Sequence, residues 1–312
     1  MRTPINVLLT GLSIAQFLLA LNYLIFLAIE QLKLLCYEFP WSYGVAVYRF
    51  FNVNLNIVFH TVAFAHTIVV AIFRYGAIRW PIAANRTLLQ NKTAFYASLA
   101  VWHVVPILCI PVFLSSKVAK TEGLCQMKQM YDLNYSKNAA LVAGIFWMFG
   151  IVLKLIPSLV LSVFLILLIK SLRRVERRRQ IGFSAAPNYK NNDVNSQSSL
   201  LATANCGRNA RMIATQRTTR MLIAIMILCV SVEFPHGMLN LCTAIYGEKF
   251  GIIIYDHLGS VMEMLTLFYS SVSFTLYCAM SNDFQNTFKR VFLKWRKKGN
   301  RYELEQSCTT SL

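Results

Sequence analysis

Residues 218–246 read TTRMLIAIMILCVSVEFPHGMLNLCTAIY, an apolar run that holds Glu233 and Pro235 near its middle. The run exceeds the roughly 20 apolar residues that an α-helix needs to cross a hydrocarbon core of about 30 Å. A carboxylate within such a run is costly to bury and commonly marks a functional site. The stretch therefore predicts a membrane-spanning helix with a functional acid at mid-depth.

The rest of the chain repeats this pattern. Of its 312 residues, 56% are hydrophobic and only 14% are charged, whereas a soluble domain carries roughly 25% charged residues. Five further apolar runs reach membrane length, at about Ile5–Ala28, Tyr43–Arg74, Ala94–Leu114, Ala139–Lys170 and Gly251–Met280. These features exclude an ordinary soluble protein and predict an all-α fold, a polytopic membrane helix bundle with six spans.

Basic residues indicate the orientation of the bundle. They are concentrated after the second, fourth and sixth runs, in segments 74–92, 173–179 and 289–301, and the chain has a net charge of +18. Cytoplasmic loops of membrane proteins carry such an excess of Lys and Arg, so these segments and both termini are expected inside the cell. Membrane topology explains the charge without a nucleic-acid partner, and we expect none.

Two cytoplasmic regions differ from the bundle, which we expect to occupy residues 1–280. An inner loop at about 171–217 is rich in Asn, Ser and Arg and is expected to be mobile. Residues 281–312 begin with aromatic and basic residues at helical spacing, which predicts an amphipathic helix in contact with membrane lipid, followed by a tail. The terminal segment 310–312 reads TSL and fits a peptide ligand of a PDZ domain.

Lys154 and Glu233 are charged residues at mid-depth of two spans. An isolated ion there would cost at least roughly 2.5 kcal/mol, whereas facing partners can share a desolvated site. We therefore expect them to pair and to line a ligand cavity; an inter-helix pair that only fixes packing is the alternative. His236, beside Pro235, and Glu263, near the outer start of the last run, are further candidate ligand contacts. Glu263 suits a cationic group.

Prolines and histidines within the spans predict local features. Pro157 and Pro235 remove backbone hydrogen bonds at membrane depth, where kinked helices open cavities and provide hinges. Three further histidines, at positions His60, His66 and His103, are expected to be hydrogen-bonded packing residues.

The outer loops carry residues that an oxidising compartment can modify. Cys36 and Cys125 fall in these loops, and we expect an inter-loop disulfide between them. Asn134 begins an Asn-Tyr-Ser sequon and is an expected glycosylation site, whereas the sequons at Asn85 and Asn91 are cytoplasmic and should stay unmodified. The sequence contains no metal-ligand cluster, cofactor motif or converging acid–base pair, so we expect no metal, no cofactor and no enzymatic activity.

Several short motifs follow one another along the spans, and they are Phe73-Arg74-Tyr75, Trp102, Pro157, Pro235 and Ser273-Phe274-Thr275-Leu276-Tyr277. In this order they resemble the Asp/Glu-Arg-Tyr element, the fourth-helix tryptophan, the fifth- and sixth-helix prolines and the Asn-Pro-x-x-Tyr element of rhodopsin-type G-protein-coupled receptors. The resemblance covers nearly the whole chain. It implies a rhodopsin-like bundle with an amphipathic eighth helix, coupled to a heterotrimeric G protein through a switch at Arg74, Tyr75, Tyr277, Pro157 and Pro235.

A narrower resemblance indicates the ligand. Glu233-Phe234-Pro235-His236-Gly237 is similar to the Glu-x-Pro-Gln-Gly variant of myosuppressin and FMRFamide-type receptors and of the nematode class w serpentine receptors. Segments 74–78 and 270–274 are similar to the same subgroup. The resemblance implies a plasma-membrane receptor for a short, amidated neuropeptide that enters from outside.

The chain also departs from the family pattern. Segment 3–10 resembles the start of the family's second helix, so the six spans are expected to be helices two to seven, with no first helix before them. The sodium-binding aspartate, the acid before the motif arginine and the asparagine of the last motif are replaced by Gln16, Phe73 and Ser273. These replacements predict weak sodium sensitivity and argue against the usual acid–arginine restraint of the resting state.

Two other functions stay open at this point. Paired charges and kinked helices also occur in six-span transporters and channels, although the sequence shows no inverted repeat. A non-signalling truncated receptor, retained in the endoplasmic reticulum, is the second alternative. Surface display and a response to peptide would favour the signalling receptor.

Overall fold

The computed structural model describes residues 4–80, 84, 90–121, 130–136, 138–184, 196–246, 250 and 256–280. The chain divides into two compact units, Met1–Asn191 with Leu222–Ser270, and Asn192–Met221 with Ser271–Leu312. The first unit holds most of the membrane-length helices and an outer hairpin. In the second unit the described residues, 196–221 and 271–280, are helical.

Long helices account for most of the described residues. In chain order they are α1 (Pro4–Leu34), α2 (Tyr43–Arg79), α3 (Asn91–Cys109), α4 (Ala139–Trp147), α5 (Ile156–Ser184), α6 (Ser196–Tyr246) and α7 (Asp256–Met280). A π-helix at Met148–Leu155 joins α4 to α5 without a break, and short 3-10 turns occupy Phe39–Trp41 and Ile110–Leu114.

The predicted fold class is confirmed. Five stretches of the described chain are long and apolar enough to cross a membrane, and they are Pro4–Leu34, Tyr43–Arg79, Asn91–Leu114, Ala140–Arg177 and Thr219–Tyr246. Each coincides with a predicted span. The sixth predicted span coincides with α7, whose 25 residues would extend about 37 Å at 1.5 Å per residue. The chain is therefore a multi-pass, all-α membrane protein.

The predicted inner loop at 171–217 is helical at both ends. Helix α5 continues to Ser184 and α6 already begins at Ser196; residues 185–195 lie outside the described part. Segment 173–179 contains Arg, Glu and Val, and most of these residues have high helix propensity. Helix α5 therefore continues past the apolar run that ends at about Lys170.

Helix α2 is central to the first unit and packs against α1, α3, α5 and the outer hairpin. Its N-terminus is capped by Ser42, whose hydroxyl accepts a hydrogen bond from the Val45 amide. Deeper in the membrane, His66 is fully buried and its Nε2 lies 3.0 Å from Ser98 Oγ of α3. Gly11 of α1 fits against this pair, because a Cβ there would stand 2.6 Å from Ser98 Oγ.

Two asparagines join α1 to α2 through reciprocal hydrogen bonds. Asn22 Nδ2 donates to the Asn52 carbonyl over 2.7 Å, and Asn52 Nδ2 donates to Asn22 Oδ1 over 2.8 Å. Interhelical amide bonds of this kind hold membrane helices together where apolar contact alone gives little preference over lipid. They fix the register of α1 against the central helix.

An antiparallel hairpin lies at the outer end of α2. Strand β1 (Ser116–Lys120) pairs with β2 (Tyr131–Tyr135), with Lys117 opposite Asn134. Asn134 is exposed, as a glycan acceptor must be. Both strands contact α2, so the hairpin is positioned by the central helix.

Candidate functional site

Three side chains from separate helical segments meet in the interior of the first unit. The Lys154 ammonium lies 2.7 Å from Glu233 Oε2, and these side chains are 1% and 0% exposed. His60 Nε2 lies 2.9 Å from the other carboxylate oxygen, Glu233 Oε1, and also contacts the Lys154 ammonium. We name His60, Lys154 and Glu233 the buried triad. The expected contact between Lys154 and Glu233 is present, and His60 is part of it.

His60 Nε2 can serve only one of its two neighbours at a time. A ring nitrogen without hydrogen accepts from Lys154, whereas a protonated one donates to Glu233. In either form His60 bridges the ammonium and the carboxylate, and the Lys154–Glu233 pair is balanced in charge.

Local sequence explains how Lys154 reaches this position. It lies in the π-helix Met148–Leu155, three residues before Pro157 of α5. Proline cannot supply a backbone donor, and π-helical turns occur frequently at functional sites. Gly150 and Gly237 let the π-helix and α6 approach closely, because a Cβ on Gly150 would stand 3.2 Å from the Asn240 Cβ. The two helices thus bring lysine and glutamate together.

Two further polar residues extend the site along α6. His236 faces His60 with ring centroids 6.5 Å apart, and its Nδ1 has no partner among the described residues. Asn240 is fully buried and donates from Nδ2 to the His236 carbonyl over 2.9 Å, so its Oδ1 is left unpaired in this part of the structure. Glu233, His236 and Asn240 stand at positions i, i+3 and i+7 and therefore share one face of the helix.

Glu263 lies on α7 and is not part of the buried triad. Its side chain interacts with Tyr23 of α1 and with the charge of Lys154. Within the described residues, no cation lies within ion-pair distance of Glu263, and the residue is exposed. Among the four predicted ligand contacts, Glu263 is therefore the residue whose carboxylate is still available to a cation.

A second group of charges lies at the outer end of the helices. Lys33 Nζ is 2.7 Å from Asp132 Oδ2, and Arg49 pairs with both Asp132 and Glu30. The Lys33 ammonium also stands 4.6 Å from the centroid of the Trp41 ring. We name Glu30, Lys33, Arg49 and Asp132 the outer ion cluster. It ties α1 and α2 to strand β2.

Asp132 is held in its charged form by this cluster. Burial alone would raise the pKa of Asp132, but the hydrogen bond from Lys33 and the positive charge of Arg49 outweigh it and hold the pKa below its ordinary value. Sequence reasoning did not single out this residue, because an acid in an outer loop among bases usually faces solvent. The pairing arises from the hairpin, which brings position 132 back to α2.

Cys36 ends α1 in an unusual conformation. It is disulfide-bonded, and its φ of 54° lies in the left-handed region that favours glycine. The backbone amides of Cys36 and Tyr37 bond to the carbonyls of Lys33 and Leu32, a Schellman-type helix end. Cys125 lies outside the described residues, so its pairing with Cys36 stays a prediction.

The predicted switch residues lie on four helices. Arg74 is half-buried on α2, and the Tyr75 ring packs on Trp80 and Phe164 with centroids 5.8 and 6.0 Å away. Pro235 lies inside α6 and Pro157 near the start of α5. The Tyr277 backbone is helical, and its side chain lies outside the described part. The G-protein role of these residues stays a prediction.

His60 is a site residue that sequence reasoning missed. It was expected only to support packing, and its role in pairing depends on helices distant in sequence. One signal was available: His60 precedes Arg74 by 14 residues, about 21 Å along a helix. That distance from the cytoplasmic end places a polar ring deep in the membrane.

Comparison with known proteins gives a consistent family. Residues 1–295 match the family model described as serpentine type 7TM GPCR chemoreceptor Srw. The chain is 26% identical over 319 residues to the G-protein coupled receptor dmsr-1 of Caenorhabditis elegans, an alignment that covers 94% of this chain and 62% of the relative. It is 24% identical over 259 residues to the sex peptide receptor of Drosophila melanogaster, covering 79% of this chain and 55% of that protein.

A third relative, the sex peptide receptor-related protein 2 of Caenorhabditis elegans, is 25% identical over 321 residues, covering 94% of this chain and 65% of that protein. The chain thus spans between 55% and 65% of the length of these curated relatives. All three are described by name as receptors or as related to one.

Proposed function

Because the chain belongs to the serpentine type 7TM GPCR chemoreceptor Srw family, we propose that it is a receptor for a short, amidated neuropeptide and signals to a heterotrimeric G protein. One similar protein is named sex peptide receptor and another is named as related to that receptor, which supports a peptide as the ligand. The Glu-x-Pro element around Glu233 resembles that of myosuppressin and FMRFamide-type receptors, which supports an amidated peptide as the ligand. The proposal includes display at the plasma membrane.

The buried triad is the observation that carries this proposal. Isolated charges at membrane depth are costly, yet Lys154 and Glu233 are fully desolvated beside the prolines of α5 and α6. Such a pair can exchange partners when a ligand supplies new polar groups. We assign ligand contact to Lys154, Glu233, His236 and Glu263, with Glu263 receiving a cationic group of the peptide.

Helix α2 connects the ligand site to the inner side. It carries His60 of the buried triad and, 14 residues further on, Arg74 and Tyr75. A ligand that binds one arrangement of the triad more tightly than another shifts the balance between the two conformations of the bundle. Movement at Pro235 and Pro157 then opens the inner end, where Arg74 and Tyr75 would meet the G protein. The switch role of Tyr277 stays a prediction from sequence.

Further partners belong to the same proposal. The basic inner segments would attract an acidic face of the G protein. Residues 281–292 would bind the inner leaflet, and the carboxyl end at 310–312 would bind a PDZ domain. These two segments lie outside the described residues, so their roles stay predictions from sequence.

A cell-based experiment tests the receptor function. Cells expressing the chain with an outer-loop tag are first examined without permeabilisation for surface display. They are then exposed to a library of short amidated peptides while G-protein activation is recorded. We expect a response from the wild type and from Ser231→Ala, whose hydroxyl only donates to the Ile227 carbonyl on the same helix.

Glu263→Gln is the test variant, and it should reduce the potency of the active peptide by about tenfold or more, as expected for a lost charge-assisted contact. A displayed protein that responds to none of the peptides would contradict the signalling function and favour the non-signalling alternative. An unchanged potency in Glu263→Gln would remove that residue from the site while leaving the function intact.

A further inference from the structure

The cytoplasmic end of α5 carries a group of basic side chains on one side of the helix. Helix α5 continues to Ser184, past the apolar run that ends at about Lys170. We name four exposed residues of this extension the basic face, and they are Lys170, Arg173, Arg174 and Arg177. Their positions are i, i+3, i+4 and i+7, which lie on the same side of an α-helix.

The basic face points away from the helix bundle. Leu168 and Leu172 are buried, at 0% and 8% exposure, whereas Leu159, Val163 and Ile166 are each more than half exposed. At 3.6 residues per turn, the basic face lies roughly opposite the buried leucines and in line with the exposed apolar residues. Exposed apolar side chains of a spanning helix face lipid. The basic face therefore continues the lipid-facing side of α5 towards the cytoplasm.

The charges of the basic face are not balanced within the described residues. The ion pairs of this part of the chain use Lys33, Arg49, His60 and Lys154 as their basic members, and none uses the basic face. The nearby acid Glu176 is half-buried, and by the same helical count it lies nearer the buried leucines. Like charges at these spacings repel one another. A bound anion would remove that repulsion.

The depth of the basic face indicates which anion it can reach. The headgroup layer begins where the apolar run ends and is about 5–7 Å thick on each side of the membrane. The helix rises about 10 Å between Lys170 and Arg177. Lys170 is therefore level with the phosphates of ordinary lipids, whereas Arg177 lies beyond them. A lipid that contacts both must carry further phosphates on a headgroup that projects into the cytoplasm.

We infer that the basic face binds an inositol lipid of the inner leaflet that carries several phosphates. The guanidinium groups of Arg173, Arg174 and Arg177 suit the ring phosphates, because arginine binds phosphate through two parallel hydrogen bonds. The acyl chains then lie along the exposed apolar side of α5. Clusters of basic residues directly cytoplasmic of a spanning helix attract anionic lipid of this kind.

An acidic surface of the G protein is the other anion that a basic helix end could meet. A G protein would enter between the helices at the inner end of the bundle, whereas the basic face lies on the opposite side of α5 from the buried Leu168 and Leu172. The position of the basic face thus favours lipid. The inference goes beyond the proposed receptor function and does not rest on it.

Native mass spectrometry of the purified full chain in detergent tests the inference. The chain is mixed with equal amounts of phosphatidylinositol bisphosphate, phosphatidylserine and phosphatidylcholine, and the fraction that carries each lipid is measured. Each basic residue near an anionic headgroup contributes about fivefold in binding. We therefore expect the bisphosphate to bind at least about tenfold more tightly than phosphatidylserine, and phosphatidylcholine to show no specific binding.

Paired variants locate the site. Arg173→Gln with Arg177→Gln should weaken binding of the bisphosphate by about tenfold or more, whereas Arg173→Lys with Arg177→Lys keeps the charge and should retain most of it. Arg79→Gln with Lys92→Gln is the matched control, because it removes two exposed basic residues at the inner ends of α2 and α3. It should bind like the wild type. If the first variant fails to fold, Arg174→Gln with Arg177→Gln serves the same purpose.

Three results would overturn the inference. Equal binding of phosphatidylserine and the bisphosphate would mean that the ring phosphates are not recognised. An equal loss in the Arg79 and Lys92 control would assign the binding to general inner charge. If no anionic lipid binds selectively and Arg173→Gln with Arg177→Gln abolishes G-protein activation by an active peptide, the basic face contacts the G protein instead. The receptor function is tested separately, by the peptide response of the wild type.

Discussion

Gly237 of α6 lies so close to Lys154 that a Cβ on the glycine would stand 3.1 Å from the Cβ of the lysine. The close approach lets the lysine lie along α6 and reach Glu233, one turn away on the same helix. The ion pair therefore depends on a residue that has no side chain of its own. A larger residue at position 237 would push the π-helix away from α6.

Removing one member of the central pair should destabilise the protein strongly. Lys154→Met leaves the Glu233 carboxylate buried without its main partner, and such a change costs about 3–5 kcal/mol. Thermal unfolding in nanodiscs should show the loss. The double variant Lys154→Met with Glu233→Met replaces both ions by apolar groups and should recover most of it. Additive losses in the double variant would show that the pair does not contribute as a unit.

The Gly11 contact makes a prediction with an internal control. Gly11→Ala places a methyl group against Ser98 and His66, and overpacking of this kind costs roughly 1–3 kcal/mol. Gly144→Ala, also within a helix, meets no atom within 4 Å and should stabilise by about 0.5–1 kcal/mol. Differential scanning calorimetry of the wild type, Gly11→Ala and Gly144→Ala measures both effects. Equal midpoints for the two variants would contradict the close packing at Gly11.

The outer ion cluster should respond to acid in a defined direction. Because the pKa of Asp132 is lowered in the folded protein, its stabilising effect is complete above the unfolded value of about 3.9. It is lost as the pH falls through the lower folded pKa. The contribution of this group to the unfolding midpoint should thus be constant between pH 7 and pH 5 and should fall below about pH 4.

Asp132→Asn should reduce the fall of the unfolding midpoint below about pH 4. Glu38→Gln is the matched control, since Glu38 takes part in none of the ion pairs among the described residues. Midpoints recorded from pH 7 to pH 3 compare the three proteins. If the unfolding midpoint of Asp132→Asn fell at low pH as much as that of the wild type, other carboxylates would be responsible for the fall.

Two substitutions of Cys36 should differ in cost. Both remove its disulfide, which in small domains costs about 2–5 kcal/mol. Cys36→Gly should destabilise less than Cys36→Ser by about 1 kcal/mol, because the left-handed conformation at this position suits glycine. Thermal unfolding under non-reducing conditions distinguishes them. A serine variant as stable as the glycine variant would mean that the backbone relaxes once the disulfide is gone.

More of the fold than of the site could be predicted from the sequence. Membrane-length apolar runs give the spans directly, because the bilayer imposes helix and length together. Lys154 and Glu233 could be paired in advance because an ion at that depth needs a partner. His60 and Asp132 could not, since a neutral histidine and a loop acid are common elsewhere. Their roles arise only when α2 and the hairpin bring distant segments into contact.

The π-helix at Met148–Leu155 gives the chain a spare residue beside the site. A π-helical turn holds more residues than the 3.6 of an α-helical turn. If this segment became α-helical with the same residues, the helix after it would rotate by about 100° relative to the helix before it. Lys154 would then point away from Glu233 without any change in sequence. Deleting a single residue between Trp147 and Lys154 would instead let the segment become α-helical with α4 and α5 still in register. This short segment can therefore absorb a change of length that most membrane helices absorb only by moving as a whole.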